Sequence, residues 1–314
     1  MIKTSTRAPH ARSHVESISM KISMTSFVSA CAYNTGARQD WTRNRAAMII
    51  PDALLMIFIC EQKDQKKTYL KIFKQVLNLV PGLHAKAKSK GNKDSFQLLL
   101  NIMIKSSANA CAVNTMHMKR FVAKYAPLDP VVQLIKLALM QSNKCDRGFS
   151  HQMLARLLCP NKYLALFDKD PIHTWNKLKN NEIKVLTRHW PTFLYEDYQY
   201  DPSNCEKGLF RGRLILCTWK AIYIGPSAAK LAPGVTTICT KSRNAKLHGI
   251  NVVTPQTIAY ATCQACFAIS SIDMWSPDNG TFNYPTFYSR IVDLFEMYQA
   301  DKWTKDTLAW WNKY

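Results

Sequence analysis

Apolar residues along this chain recur at helical spacing, in stretches punctuated by proline and glycine. Across residues 68–80, Leu70, Ile72, Phe73, Val76, Leu77 and Val80 keep that period, while Lys66, Lys67, Lys71 and Lys74 fall largely on the other side. Pro81-Gly82 ends this predicted helix, and AKAKSKGNK (85–93) follows as a solvated basic loop. Residues 96–104 and 116–125 read as two further helices, the second stopped by Pro127 and Pro130, and 131–140 as another short one. Around 141–149 the chain turns polar, which makes this segment the predicted boundary between two halves.

The second half reads as helices joined by aromatic-rich, proline-punctuated loops. HWPTFLYEDYQYDP (189–202) has too many aromatics and too little period for a clean helix or strand, so Trp190, Phe193, Tyr195 and Tyr198 are expected to pack against neighbouring helices. Residues 208–224 are helical in pattern and end at Gly225-Pro226; 226–253 form a long loop. Thr254-Pro255 then opens a helix, with Thr as N-cap and Pro at the first helical position. Phe287, Ile291, Leu294, Phe295 and Tyr298 make an apolar stripe with Arg290, Asp293 and Glu296 on the outer face, and 303–312 closes with a short aromatic helix. The expected fold is mainly α: an irregular multi-helix domain with long aromatic- and proline-rich loops and a buried central helix near 255–272. It divides into a flexible basic leader (1–45), a lysine-rich helical region (46–140) and a helical core (141–314).

Composition narrows the classes. The chain has 314 residues, 47% of them hydrophobic and 20% charged, so it can bury a core. The net charge is +21, with residues 1–150 carrying +15 and residues 151–314 carrying +6. Such a balance implies an anionic partner, nucleic acid or another polyanion, or else a generally lysine-rich surface with no specific anion to meet. Between Lys207 and Ile272 there are 66 residues without one Asp or Glu, spanning both the most apolar helix pattern and the basic loop KSRNAKLH (241–248). MIKTSTRAPHARS lacks the apolar core of a secretory signal, so the ten cysteines are read as reduced, and the expected location is intracellular, nucleus or cytoplasm. The composition of the leader also fits a transit peptide. Ala53 to Cys60 is too short to span a bilayer, and 255–272 is diluted by Thr, Gln and Ser, so no membrane association is expected.

Few motifs carry chemistry. Cys263-x-x-Cys266 supplies two of the four ligands zinc needs, and the surrounding Ala259, Ala261, Ala265 and Ala268 suit a helix crossing close to another. Glu182-Ile183-Lys184 with Asp168 and Asp170 has the outline of a nuclease carboxylate set but lacks flanking strands, and Asp168-Lys169-Asp170-Pro171 reads as a turn. Phosphate-loop, dinucleotide, zincin and nucleophile-elbow signatures are absent from the sequence. Asn279-Gly280-Thr281, a glycosylation acceptor in form, reads as a turn.

The basic loops remain. Lys241, Arg243, Asn244, Lys246 and His248 lie just ahead of a helix start, where free N–H groups favour anions. Lys86, Lys88, Lys90 and Lys93 form a second basic surface. These residues are the predicted anion or nucleic-acid contacts; no catalytic residue, metal or cofactor is expected. The alternative is a protein-interaction or structural helical module without nucleic-acid binding. An enzymatic reading would need a pocket gathering His248 with a carboxylate such as Glu206.

A resemblance adds to this. GLFRGRLI (208–215), GPSAA (225–229), RNAKLHGI (243–250), TPQTIAYATCQACFAISS (254–271) and LAWWNKY (308–314) resemble a fungal family of unknown function. RLLCP (156–160), EIKV (182–185), WPTFLYEDYQYDP (190–202) and FYSRIVDLFE (287–296) are similar to the same family. The likeness covers about 130–314, thins over 69–130, where VPGL (80–83) anchors it, and implies no activity. The family tends to carry a basic residue just before the Phe of the FAISS run; this chain has Cys266, so the resemblance implies no role here for a charge inside that helix.

Overall fold

Thr254 and Pro255 open the helix around which the rest is arranged. The Thr254 side chain accepts from the Thr257 amide, the Thr257 hydroxyl accepts from the Thr254 amide, and Pro255 takes the first position, where its missing N–H costs nothing. The structure, a computed structural model, describes residues 93–128, 139, 143–230, 252–276, 278, 280 and 282–314. Its helices are α1 (Lys93–Tyr125), α2 (Gln152–Leu158), α3 (Leu164–Lys169), α4 (Pro171–Lys179), α5 (Arg213–Trp219), α6 (Pro255–Ile269), α7 (Tyr284–Met297) and α8 (Lys302–Trp311). Among the described residues there are no strands, only isolated antiparallel bridges such as Pro160 with Pro191. The expected mainly α fold is what the structure has, and no described helix is long and apolar enough to cross a membrane.

α6 is the predicted central helix. Every residue from Thr257 to Ile269 is buried, and the helix packs against α1, α5 and α7. Its small residues Ala259, Ala261, Ala265 and Ala268 let three neighbours approach, so the lack of charge here has a packing cause. Cys263 and Cys266 belong to this core.

α1 corrects the sequence reading. The sequence pattern gives two helices, 96–104 and 116–125; one helix of 33 residues spans both. Polar residues between the two stretches form part of the seam with α6. Asn114 donates to the Tyr260 hydroxyl at 3.0 Å, and Thr115 donates to Gln264 Oε1 at 3.1 Å. With no Pro or Gly in the run and alanines at 108, 110 and 112, nothing opposes continuation.

The 208–224 helix is also shorter at its start than its pattern suggests. Gly208 to Gly212 are not helical, α5 begins at Arg213, and Lys220–Ile224 widens into a π-helix closed by Gly225 N–H donating to Lys220 O at 2.8 Å. Gly212 is where this segment passes under residues 193–194. A Cβ there would lie 2.0 Å from the Phe193 carbonyl oxygen, so only glycine fits.

The aromatic segment packs as expected. Phe193, Tyr195 and Tyr198 are buried, carried on two short 3₁₀ turns, and the Tyr198 hydroxyl reaches the Ala126 carbonyl at 2.8 Å. Asp197 and Tyr198 adopt positive φ (50° and 55°) to make that reach, a conformation L-residues take only under constraint. Trp311 of α8 donates to Phe210 O at 3.0 Å and stacks edge-on against Trp219, locking the C-terminal helix over α5. The 68–80 helix and the 231–251 part of the long loop lie outside the described residues, as does 131–140 apart from the buried Leu139.

Candidate anion-binding face

Lys241, Arg243, Asn244, Lys246, His248, Lys86, Lys88 and Lys90 lie outside the described residues, and Lys93 opens α1. The cations that the described residues do gather fall into two groups of opposite character.

The first group is internal. The carbonyl end of α6 carries partial negative charge, and two cations cap it. Lys144 donates from Nζ to Phe267 O at 2.6 Å and stands 3.3 Å from the centroid of the Phe267 ring; Arg147 donates to Ala268 O at 2.8 Å and to Lys119 O of α1 at 2.6 Å. Both side chains are fully buried. Burial, then the neighbouring Arg147 and Lys119, lowers the Lys144 ammonium to about 7; Asp273 and Cys266 oppose this. Lys119 pairs with Asp273 at 2.6 Å. The buried cations thus join the 144–147 segment, α1 and α6 to one another.

Several other cations are also committed to carbonyls or rings. Arg213 donates to Pro127 O at 2.7 Å, and the buried Lys220 lies 4.3 Å from the Tyr314 ring. Arg156 makes a two-pronged contact to Asp168 at 2.7 and 2.9 Å beside a cleft of about 370 Å³ floored by Met153, Leu157 and Tyr198. Asp170 accepts from the His173 amide at the start of α4, so the Asp168–Asp170 segment is a helix end and a cap. Cys266 is pushed up to about 12 by burial and Cys263 is raised by the same cause, which makes both poor thiolates. No group of three His, Cys, Asp or Glu that could hold a metal occurs among the described residues.

The second group is on the surface and comes from three separate segments. The bridge between Pro160 and Pro191, with Asn161 N–H donating to Trp190 O at 2.9 Å, lays Lys162 beside His189. A tight turn at 186–189 is closed by His189 N–H to Leu186 O at 2.9 Å and Leu186 N–H to His189 Nδ1 at 3.2 Å, with Arg188 exposed. From α7, Arg290 donates to Thr187 O and lies 4.6 Å from the Trp190 ring centroid. Arg290, expected on the outer face of the helix, has its side chain folded onto the 187–190 turn. The turn in turn anchors α7, because Thr187 Oγ1 accepts from the Asn283 amide at 2.8 Å and Asn283 caps the helix.

His189 reports the field there. Burial lowers its basicity, and the cations of Lys162, Arg188 and Arg290 lower it further, while a hydrogen bond to the Lys184 backbone opposes them. Lys162 and Arg188 are exposed, and the strongest charges acting on the imidazole are all positive. Sequence reading missed this face because no stretch of it is locally unusual. Lys162, Arg188 and Arg290 are isolated cations until the Pro160–Pro191 bridge and α7 bring them together.

A family profile for a family of unknown function, DUF6698, matches residues 105–314. The chain belongs to DUF6698. The match begins within α1 and takes in α2 to α8, so the DUF6698 region contains both cation groups. No curated protein and no solved structure matches the chain.

Proposed function

We propose that this protein is a non-enzymatic helical binding protein that associates with nucleic acid, or a polyanion of the same charge density, through exposed basic surface. The placing of Lys162, Arg188 and Arg290 around the 186–190 turn by the Pro160–Pro191 bridge and α7 carries this reading. Cations gathered on one face gain from a phosphate set between them. Aromatic faces are not free for base stacking here, since Trp190 is covered by Arg290 and by Phe210 and Phe287. The contact is therefore to backbone phosphate and indifferent to sequence. In this proposal the basic residues of 85–93 and 241–248 supply further cations for the same kind of partner. An intracellular setting, nucleus or cytoplasm, accords with the free and exposed thiols of Cys145 and Cys205.

Duplex DNA binding across a salt series tests it. Affinity should fall steeply as salt rises, and Lys162→Glu with Arg188→Glu should weaken binding roughly tenfold or more at low salt. Negligible binding at low salt, or affinity flat with salt, overturns the reading.

A second reading, a protein-interaction module, is favoured by exposed apolar residues on α1, namely Leu98, Ile102, Val113 and Met116.

A further inference from the structure

α1 presents one continuous outer face. Leu98 (61% exposed), Ile102 (48%), Val113 (39%) and Met116 (49%) share it with exposed Lys105, Asn109, Arg120 and Lys124. The spacings of three and four residues keep all eight positions on the same side of the helix. Read along that side, the order is apolar, apolar, polar, polar, apolar, apolar, then basic.

That order is its own reverse about a point near position 107. We propose that this face of α1 binds a second copy of the chain, with the two helices antiparallel across a two-fold axis near position 107. Leu98 then meets Met116 of the second copy, Ile102 meets Val113, and Lys105 meets Asn109. A two-fold interface demands a self-complementary patch, and this pattern is one.

Charge selects the antiparallel arrangement. In a parallel pair Lys105, Arg120 and Lys124 would each face their own copies, placing like charges in contact. Antiparallel pairing carries Arg120 and Lys124 away from their own copies and sets Arg120 in register with position 94, an Asp in the sequence; only Lys105, beside the axis, stays near its own copy. The central Lys105 and Asn109 define the register at some cost in affinity, as a polar position in a helix pair does. Four apolar side chains per copy make a modest interface, so the expected state is a concentration-dependent monomer–dimer equilibrium. The net charge of +21 opposes self-association, and salt that screens it should strengthen the dimer. Nucleic-acid binding has the opposite salt dependence, so the failure of either proposal is separable from the other.

Sedimentation velocity of the full chain at elevated salt, over a wide concentration range, provides the test. The wild type should shift from monomer towards dimer mass as concentration rises. Ile102→Glu and Val113→Lys should each remain monomeric with unchanged helical circular dichroism. An equimolar mixture of the two should regain the dimer, because the carboxylate introduced in one copy then faces the ammonium introduced in the other. A wild type that stays monomeric throughout, an Ile102→Glu protein that still dimerises, or a mixture that fails to recover the dimer overturns the proposal.

Discussion

The Lys144 ammonium donates to the Phe267 carbonyl oxygen at 2.6 Å in the interior of the protein, closing the last turn of α6 with a charge that has no carboxylate directly on it. Burial is the main reason the folded protein holds this group near 7, below the ordinary lysine range.

Because the unfolded chain binds that proton more tightly, stability should rise with pH above about 7 and level off near the ordinary lysine value. Urea melts at pH 7 and pH 9 should show the wild type gaining about 1–3 kcal/mol. Lys144→Met should flatten that gain, and it should lower stability at pH 7 by about 1–2 kcal/mol through loss of the bond to Phe267 O. An unaltered pH slope in Lys144→Met would show that the lysine titrates normally.

At Gly212 the prediction is steric. A Cβ there would sit 2.0 Å from Phe193 O and 3.0 Å from its carbonyl carbon, both backbone atoms held by Gly212 N–H donating to Leu194 O at 3.1 Å. Gly212→Ala should cost about 3 kcal/mol or more, or prevent folding, as measured by thermal unfolding. Gly225→Ala meets no neighbouring atom, so any loss there comes from its φ of 140° alone.

Thr254→Ala removes the hydroxyl that caps α6 and should lower stability by about 1 kcal/mol. Thr254→Ser should retain most of it. Equal losses in the two variants would mean that the methyl packing of Thr254, not the cap, supplies the stability.

Thiol labelling should follow burial. Mass mapping after brief treatment with a maleimide in the native state should find Cys145 and Cys205 modified and Cys159, Cys263 and Cys266 protected. In denaturant all five should react. Rapid native labelling at Cys266 would contradict its place in the core.

Much of the fold was legible because local chemistry and packing agree. Thr254-Pro255 signals a helix start, and Phe287, Ile291 and Phe295 are buried as their spacing implies. The continuity of α1 was not legible, because Asn114 and Thr115 are polar for the sake of Tyr260 and Gln264, residues far along the chain. The cationic face was hidden for the same reason. Arg290 sits on what a helical wheel marks as the outer side of α7, and only the 187–190 turn, packed across it, gives the arginine a ring and a carbonyl to hold. Net charge misled in a different way. Lys144, Arg147 and Lys220 count towards +21, yet all three are interior and contribute little to what a partner meets.

The two caps of α6 have a kinetic consequence. Its first turn is closed by Thr254 and Thr257, its last by Lys144 and Arg147, and α1, α5 and α7 cover its length. Such a helix has no free end from which to fray, so its amides can meet solvent only when the surrounding helices separate together. In hydrogen exchange, the amides from Ala261 to Ala268 should be the slowest in the protein, opening at the free energy of global unfolding. Their exchange rate then measures the stability of the whole core.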